Sequence, residues 1–303
     1  MQKIQCNRKD IELFVISAGH YFADAGAAMG VLPYKLWSDN IVLDQYRRVK
    51  LDLNCLLIKI QCAPESSSKK NDFSDKINIL VDCGIGNCNS EKLNKIYQPS
   101  NSTLINELAS VGMSPDQINM VVLTHLHFDH AGGILEKNIH DIPTVDFNNK
   151  RDVVNPNSSN KLLFKNAKYL IQKDEWETAL NPDSLNMAAY TIIEQYNLLN
   201  KSDQIRLIEG EIELYKEIFV EKVDGHSPGM QVLKINDLGE FIYFGSDAFP
   251  LQFHLTPSVT SAYDISRKEL HKNKEKILKE LKSHGGKLIF SHEIEKKWIE
   301  FNG

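Results

Sequence analysis

A dense group of histidine and aspartate residues stands near the middle of the chain. It follows the apolar run Met120 to Leu123 and reads Thr124-His125-Leu126-His127-Phe128-Asp129-His130-Ala131-Gly132-Gly133. Residues two apart in an extended segment point to the same side, so His125, His127 and Asp129 can converge. His130 can join them only where the backbone turns, and the two glycines permit such a turn and a close backbone approach.

A divalent metal ion is the chemistry that this cluster predicts. The alternatives are a solvated histidine-rich loop or a set of hydrogen-bonded core histidines. Burying three imidazoles and a carboxylate at the end of a strand is costly unless a partner satisfies them, and a divalent cation does so. Imidazole and carboxylate ligands without cysteine suit Zn²⁺, with iron, manganese or cobalt as alternatives, and a catalytic site keeps a position open for water.

The motif resembles the signature of the metallo-β-lactamase superfamily, and it is especially similar to that of the quorum-quenching lactonases and the related methyl parathion hydrolases. This resemblance implies three further ligands in a fixed order: a histidine after a strand, a bridging aspartate and a last histidine near the C-terminus. The chain supplies His226 in a Gly-His-Ser-Pro segment, Asp247 in Gly-Ser-Asp-Ala and His292 in Phe-Ser-His-Glu. Each follows a predicted strand, where loops can assemble a site.

The resemblance also implies a role for each ligand. One ion takes His125, His127 and His226, the second takes Asp129, His130 and His292, and Asp247 bridges them. Two divalent ions about 3.5 to 4 Å apart lower the pKa of a shared water, and the bridging hydroxide then attacks the substrate. Asp129 and Asp247 are the implied catalytic carboxylates, and Asp247 could take up a proton and deliver it to the leaving group.

The elements that must position these residues alternate between strands and helices along the chain. The strand pattern is found at residues 12–16, 51–61, 77–81, 120–123, 168–172, 205–208, 218–223, 230–235, 241–244 and 287–290. The helical pattern is found at residues 102–111, 173–180, 185–199 and 266–283. These series predict a sandwich of two sheets covered by helices, with a β-meander at the start. The resemblance implies an α/β (α+β) fold of the four-layer αββα type.

We expect one hydrolase domain over residues 1–303, because no linker divides the chain. Residues 22–37 look like the segment that precedes the fold in the lactonase and parathion hydrolase branch, which gives an N-terminal extension of about residues 1–45. Residues of about 136–161 are rich in Asn, Asp, Ser and Pro and predict an irregular insertion, either a lid or a solvated loop. Asp82 matches the aspartate that follows an early strand in the superfamily, with a structural or supporting role.

Composition limits the classes of partner. The net charge of −5 provides no broad basic surface, so we expect no nucleic acid as a partner. No apolar run reaches the roughly 18 to 20 residues that span a bilayer, so we expect no membrane association.

Five cysteines without a regular framework are typical of reduced thiols in a cytoplasm, and export is not expected. Cys83 and Cys88 are interpreted as small buried hydrophobic residues. Pairing into a homodimer is left open.

The substrate class follows from the resemblance and from one departure from it. Acyl-homoserine lactonases place a tyrosine three residues after the bridging aspartate, where this chain has Pro250. Either another donor replaces it or the substrate is not a homoserine lactone. Hydrolysis of a lactone, a carboxylic ester or an organophosphate ester is the expected reaction on a small molecule. The candidate pocket residues are Phe22, Trp37, Phe128, Phe249 and His254.

Two other reactions share similar ligands. A metal-dependent RNA or DNA nuclease of the same superfamily is disfavoured by the acidic balance of charge. A non-haem iron oxidoreductase is disfavoured because Asp129 stands where the diiron relatives usually have glutamate, and because no flavin domain is appended. RNA binding with a steep salt dependence would favour the first, and iron content with oxygen uptake would favour the second.

Overall fold

The structure is a computed structural model that describes residues 1–62, 76–87, 89–136, 161–191 and 193–303, with the short strands Thr144–Val145 and Asp152–Val153. Residues 63–75 and Cys88 lie outside the described residues. Most of the predicted insertion at about residues 136–161 also lies outside them. Its lid or loop character therefore stays a prediction.

The first half of the chain builds a seven-stranded sheet in the order β1-β2-β3-β4-β5-β10-β11. Strands β1 to β4 follow one another antiparallel, as a meander, whereas β4, β5, β10 and β11 run parallel. The strands are β1 Gln2–Ile4, β2 Ile11–Asp24, β3 Arg48–Gln61, β4 Lys76–Val81, β5 Met120–Val122, the paired strands β6 Leu135–Glu136 and β9 Lys161–Leu162, the paired strands β7 Thr144–Val145 and β8 Asp152–Val153, β10 Lys168–Gln172 and β11 Ile205–Ile208.

The second half builds a six-stranded sheet in the order β12-β13-β14-β15-β16-β17. Neighbours in it are antiparallel except for β15 and β16, which run parallel because a long helix crosses between them. The strands are β12 Ile212–Tyr215, β13 Ile218–Lys222, β14 Gln231–Asp237, β15 Glu240–Phe244, β16 Gly286–Ile289 and β17 Trp298–Phe301.

Helices cover the outer face of each sheet. Among the described residues, the part of the chain that builds the first sheet contains α1 Ala25–Met29, α2 Tyr34–Trp37, α3 Glu91–Tyr97, α4 Leu104–Ser110, α5 Phe128–Ala131, α6 Lys173–Leu180 and α7 Ile193–Lys201. The crossing helix α8, Arg267–His284, packs on β15 and β16 of the second sheet. None of the helices in the described ranges is both long and apolar enough to cross a membrane.

Three apolar clusters separate four layers. One cluster joins the first sheet to its helices and includes Trp37, Leu108 and Trp176. A second lies between the two sheets, where β-branched and leucine side chains of β2, β3, β4, β13 and β14 meet. A third joins the second sheet to α8 through residues such as Leu270 and Leu281. The architecture is therefore the predicted αββα sandwich.

The predicted N-terminal extension of about residues 1–45 stays a prediction. Within it, β1 and β2 are paired strands of the first sheet, and the residues at 11–23 are mostly buried. One sequence expectation needs correction. The predicted helix at residues 185–199 begins only at Ile193. Residues 184–189 form turns instead, because Ala189 accepts a hydrogen bond from the Phe128 amide at 3.0 Å and Tyr190 buries its side chain.

Candidate metal centre and cavity

The histidine-rich segment begins where β5 ends. Strand β5 is buried between the parallel strands β4 and β10, so its carboxyl end leads into a loop at the edge of the sheet. The Asp82 carboxylate at the end of β4 fixes this loop, since it accepts hydrogen bonds from the Thr124 amide and hydroxyl, both at 2.8 Å. His130 lies in α5 immediately afterwards, which is the turn that the sequence requires.

Gly133 lies where the backbone of α5 and the backbone after β4 come close together, as the sequence predicts. Its amide donates to the Gly84 carbonyl at 2.9 Å, and a Cβ atom at this position would lie only 2.0 Å from the Cys83 carbonyl oxygen. Any larger residue would push α5 away from the end of β4. Cys83 itself is fully buried, and Cys6, Cys55, Cys62 and Cys83 are free thiols.

The second sheet delivers the remaining three predicted ligands from strand ends. His226 follows β13, Asp247 follows β15 and His292 follows β16. Because β15 and β16 are parallel neighbours, their carboxyl ends lie side by side. Ser246, just before the aspartate, has a φ of 47°, an uncommon conformation for a residue other than glycine. The sharp turn there aims Asp247 back toward the first sheet.

All seven predicted ligands meet at this edge. The sets His125, His127, His226 and Asp129, His130, His292 each bring one ligand atom per residue within 4.8 Å of the others, and a third set joins His125, His130 and Asp247. Asp247 lies between the first two sets. Its Oδ1 is 3.1 Å from His130 Nε2 and 3.2 Å from His292 Nε2, and its Oδ2 is 3.4 Å from His226 Nε2.

The donor set fits divalent cations. The Nε2 atoms of His125, His130 and His292 are buried and, within the described parts of the chain, have no hydrogen-bond partner of good geometry. Buried polar atoms rarely lack a hydrogen-bond partner in native structures. His226 Nε2 lies 3.1 Å from His127 Nδ1, and two nitrogens about 2.0 Å from one tetrahedral Zn²⁺ would be about 3.3 Å apart. Similar distances separate the Asp247 carboxylate oxygens from the Nε2 atoms of three histidines, from 3.1 Å for His130 to 3.4 Å for His226.

For His130, His226 and His292, the second ring nitrogen is held by the protein. His130 Nδ1 lies 2.8 Å from Asp82 Oδ2, and His226 Nδ1 lies 2.7 Å from Asp264 Oδ1. His292 Nδ1 lies 2.8 Å from the Asp52 carbonyl oxygen. A ring that donates from Nδ1 presents the lone pair of Nε2, so these contacts fix the tautomer that binds metal.

The electrostatics favour cation binding. Burial, together with the neighbouring imidazoles, holds the pKa of His125 and His127 well below the usual value. Burial alone would raise the pKa of Asp247, but His130, His292 and His226 outweigh it and hold that pKa well below its usual value. Metal ligands bind as neutral imidazoles and charged carboxylates, which are the states favoured for His125, His127 and Asp247. For the other three ligand histidines burial alone would lower the pKa, but Asp247 and the other nearby carboxylates outweigh burial and raise it, so a cation that binds there displaces protons.

A buried glutamate on α6 joins the two ligand-bearing loops. Glu175 Oε1 accepts from the Leu126 amide at 2.7 Å and from the Tyr190 hydroxyl at 2.8 Å, and Oε2 accepts from the Ser227 hydroxyl at 2.6 Å. Leu126 lies between two ligands of the first sheet, and Ser227 follows His226. Burial is the main reason that the pKa of Glu175 rises to about 7. One side chain thus fixes the distance between both halves of the site.

A cavity of about 320 Å³ opens above the ligands. Its floor is made by His127, Asp129, His226, Asp247 and His292. Its walls are mainly apolar and aromatic, and the described residues that line it include no lysine or arginine. Leu185, Tyr263 and Ile265 lie at its rim, where their side chains are exposed.

Two of the five predicted pocket residues line this cavity, namely Phe128 and His254. The other three lie elsewhere. Trp37 is buried in the helix layer, with its indole donating to the Leu32 carbonyl, and Phe249 is buried against α8. Phe22 lies under the Arg48 guanidinium, because the alternation of β2 turns it away from the face that carries Tyr21.

Three site residues were missed by sequence reasoning. Tyr21 on β2 donates to Asp129 Oδ2 at 2.8 Å and lines the cavity, and Asp264 and Glu175 support the ligands. Glu175 could have been suspected, because a glutamate beside Trp176 lies on the apolar face of a predicted helix. Tyr21 and Asp264 carry no such signal, since their contacts span 108 and 38 residues of sequence.

The fold is of the metallo-β-lactamase type. The family model described as the metallo-beta-lactamase superfamily matches residues 73–136, which contain the histidine-rich segment. This match agrees with the resemblance seen in the sequence, and the predicted fold is confirmed.

Among curated proteins, the chain is similar to an N-acyl homoserine lactonase of Bacillus thuringiensis, with 27% identity over 132 residues. That match covers 44% of this chain and only 38% of the relative's length. Among solved structures, a probable metal-dependent hydrolase from Staphylococcus aureus has a TM-score of 0.78 at 24% identity, covering 98% of this chain and 94% of its own. AidC, a dizinc quorum-quenching lactonase, has a TM-score of 0.69 at 21% identity, covering 98% and 92%.

Proposed function

We propose that this chain is a dinuclear metal-dependent hydrolase that cleaves a lactone, a carboxylic ester or an organophosphate ester. The observation that carries the proposal is the position of Asp247. One of its oxygens faces His226, and the other faces His130 and His292. A carboxylate that faces two sets of histidines on opposite sides is arranged to bridge two cations, and a single ion would leave one set without a partner.

The residues that would hold the ions follow from the two sets. His125, His127 and His226 would hold one ion, Asp129, His130 and His292 the other, and Asp247 would contact both. Bound Zn²⁺ or a similar divalent ion would supply an activated water and polarise the reacting oxygen of the substrate. Asp247 lies at the cavity floor, where it can accept a proton during attack and return it to the leaving group.

The cavity supports an uncharged substrate. Its described lining has no lysine or arginine to pair with a negative group away from the ligands, and its walls are aromatic and aliphatic. A nucleic acid would need cationic contacts along its backbone, so the nuclease alternative has no supporting feature there. The similarity to N-acyl homoserine lactonases supports an ester or a lactone as the substrate.

Cytoplasmic location and pairing into a homodimer stay predictions from the sequence.

The test combines metal analysis with a rate panel. Purified protein is expected to hold about two divalent ions per chain and to hydrolyse at least one of an acyl lactone, an aryl acetate or an aryl phosphotriester. Asp247→Ala should lower the active rate by about a hundredfold or more. The exposed Asp116→Ala serves as the matched control and should keep the wild-type rate. Wild-type turnover by Asp247→Ala would contradict the proposal.

A further inference from the structure

Asp264 is a buried carboxylate that holds one ligand of the proposed metal centre. Its side chain is only 2% exposed, its Oδ1 lies 2.7 Å from His226 Nδ1, and its Oδ2 accepts the Ser261 amide at 2.6 Å. Burying a charged carboxylate is costly unless it is well paired. The His226 Nδ1–H is therefore the hydrogen-bond partner of Asp264 Oδ1. If the imidazole ring turned, this buried oxygen would lose that partner.

The loop that carries Asp264 is fixed to its surroundings along its length. The Val259 carbonyl accepts from the buried Lys274 ammonium group at 2.6 Å, and the Ala262 amide donates to the Ala27 carbonyl at 2.8 Å. The Ser266 amide donates to the Gly225 carbonyl at 2.8 Å, directly beside His226. Residues 256–266, which we name the wall loop, therefore have one defined position relative to the ligand.

The wall loop also borders the cavity. Ser261, Ala262, Tyr263, Asp264 and Ile265 all line it. The same short segment thus forms part of the binding surface and carries the carboxylate behind His226. Asp82 plays the corresponding part behind His130, but it lies at the end of a buried strand, away from the cavity lining.

We propose that Asp264 is a positioning residue that sets the affinity of the cation position formed by His125, His127 and His226. The inference rests on the proposed function. A carboxylate that accepts a hydrogen bond from Nδ1 fixes the tautomer of the ring and makes Nε2 a stronger electron-pair donor to a metal ion. Loss of such a carboxylate typically weakens metal binding about 10- to 100-fold. His226 Nε2 faces the site, 3.1 Å from His127 Nδ1.

The experiment measures metal affinity rather than activity. Metal-free wild type, Asp264→Ala and Asp264→Asn are titrated with Zn²⁺ against a chromophoric chelator, and Co²⁺ spectra report the ligand environment. Asp264→Asn keeps the size of the side chain and guards against a folding defect in the alanine variant. We expect one of the two bound equivalents to weaken about 10- to 100-fold in Asp264→Ala, less in Asp264→Asn, with the other equivalent unchanged.

Arg267→Ala is the matched control. It removes the hydrogen bond from Arg267 Nε to Thr260 Oγ1 and so loosens the wall loop without touching His226. Unchanged affinity for both equivalents in Asp264→Ala would overturn the inference. An equal loss in Arg267→Ala would also overturn it, because loop order alone would then be the cause. If wild type itself binds no divalent ion, the proposed function fails instead, and the two failures are distinguishable.

Discussion

Tyr21 places a phenol beside the proposed metal site, whereas this chain has Pro250 at the position where the lactonases have a tyrosine. Its hydroxyl donates to Asp129 Oδ2 at 2.8 Å, and its ring lies against His292, with the centroids 5.7 Å apart. The side chain enters the site from β2, whereas Pro250 follows β15. If its one O–H turns from Asp129 toward the cavity, the phenol can donate to a developing negative charge on the substrate oxygen from the opposite wall.

We expect Tyr21→Phe to lower kcat by about tenfold or more, because a hydrogen bond to a charged oxygen contributes about 1.5 to 3 kcal/mol. Metal content after loading with excess Zn²⁺ should stay at the wild-type value, since the phenol supports Asp129 but is not among the predicted ligands. Steady-state rates and metal analysis on the same samples measure both. Tyr97→Phe, which changes another tyrosine of the same cavity, is the control and should have a smaller effect. Equal rates in wild type and Tyr21→Phe would refute this role.

At the scale of single residues, the sequence predicted the groups that share a motif. Four of the seven ligand candidates lie within six residues, so their chemistry could be recognised before any fold was known. Tyr21 and Asp264 could not be recognised, because each acquires its role only when distant segments pack together. Phe249 was wrongly predicted to line the pocket, because its place in the sequence does not distinguish a pocket position from a core position. An aromatic residue two positions after a ligand is equally well suited to the core behind it.

At the scale of elements, α6 supports the site through Glu175. Three donors converge on this carboxyl from the Leu126 amide, the Tyr190 hydroxyl and the Ser227 hydroxyl. They come from the loop after β5, from the turns before α7 and from the loop after β13. Removing the acceptor would leave three buried donors without a partner at once.

Glu175→Ala should therefore lower the free energy of unfolding by about 3 kcal/mol or more, at about 1 to 3 kcal/mol for each unsatisfied donor. Urea denaturation of the metal-free protein measures this without any contribution from bound ions. Glu177→Ala, on the exposed side of the same helix, should change stability by no more than about 0.5 kcal/mol. Equal midpoints for the two variants would show that Glu175 does not hold the loops together.

Helix α8 contributes an unusual buried lysine. Lys274 is fully buried, and its amine donates to the Val259 carbonyl at 2.6 Å. Burial lowers the pKa of Lys274 to about 7, against the smaller opposing effect of Asp264. Between pH 7 and the usual lysine value of about 10.4, the unfolded chain holds a proton here that the folded chain releases. The Lys274 contribution to the free energy of unfolding therefore increases as pH rises through this range.

Lys274→Met removes this dependence. We expect the stability of wild type relative to Lys274→Met to increase from pH 7 to pH 10, because only wild type gains from proton release in the folded state. Urea midpoints at unit intervals of pH provide the measurement. Lys272→Met, at an exposed position of the same helix, is the control and should follow the wild-type profile. Parallel profiles for wild type and Lys274→Met would contradict the assignment.

The elements themselves were predicted where burial is regular. Strand β5 is a short apolar run between polar segments, and α6 has clear helical spacing, so both were found at or near their observed bounds. The predicted helix over residues 185–199 failed in its first half, because Tyr190 is drawn to Glu175 and Ala189 to Phe128. Tertiary contacts there overrode a local pattern that only propensity supported.

At the scale of the whole molecule, the site joins two halves that also meet through an apolar core and through buried hydrogen bonds such as those of Glu175 and Gln231. His125 to His130 belong to the first sheet, whereas His226, Asp247 and His292 belong to the second. The inter-sheet core is aliphatic and extends across many strands, so its stability does not depend on metal. Bound ions would therefore act as cross-links at one edge of a sandwich that is already folded.

Chelation should consequently lower Tm without unfolding the protein. A ligand at 100 times its Kd stabilises the folded state by about 2.7 kcal/mol, which for a chain of this size corresponds to a Tm change of the order of 5 °C. Calorimetry with and without chelator measures the change, and circular dichroism at 25 °C should be the same in both states.

Asp247→Ala provides the control, because a site without the carboxylate that faces both histidine sets should gain less from added Zn²⁺. A Tm that does not respond to chelator or to Zn²⁺ would mean that the seven side chains close around no cation. A collapse of the circular dichroism signal on chelation would mean that the ions, rather than the apolar core, hold the two sheets together. Since β3, β4, β13 and β14 meet through buried aliphatic side chains, we expect neither result.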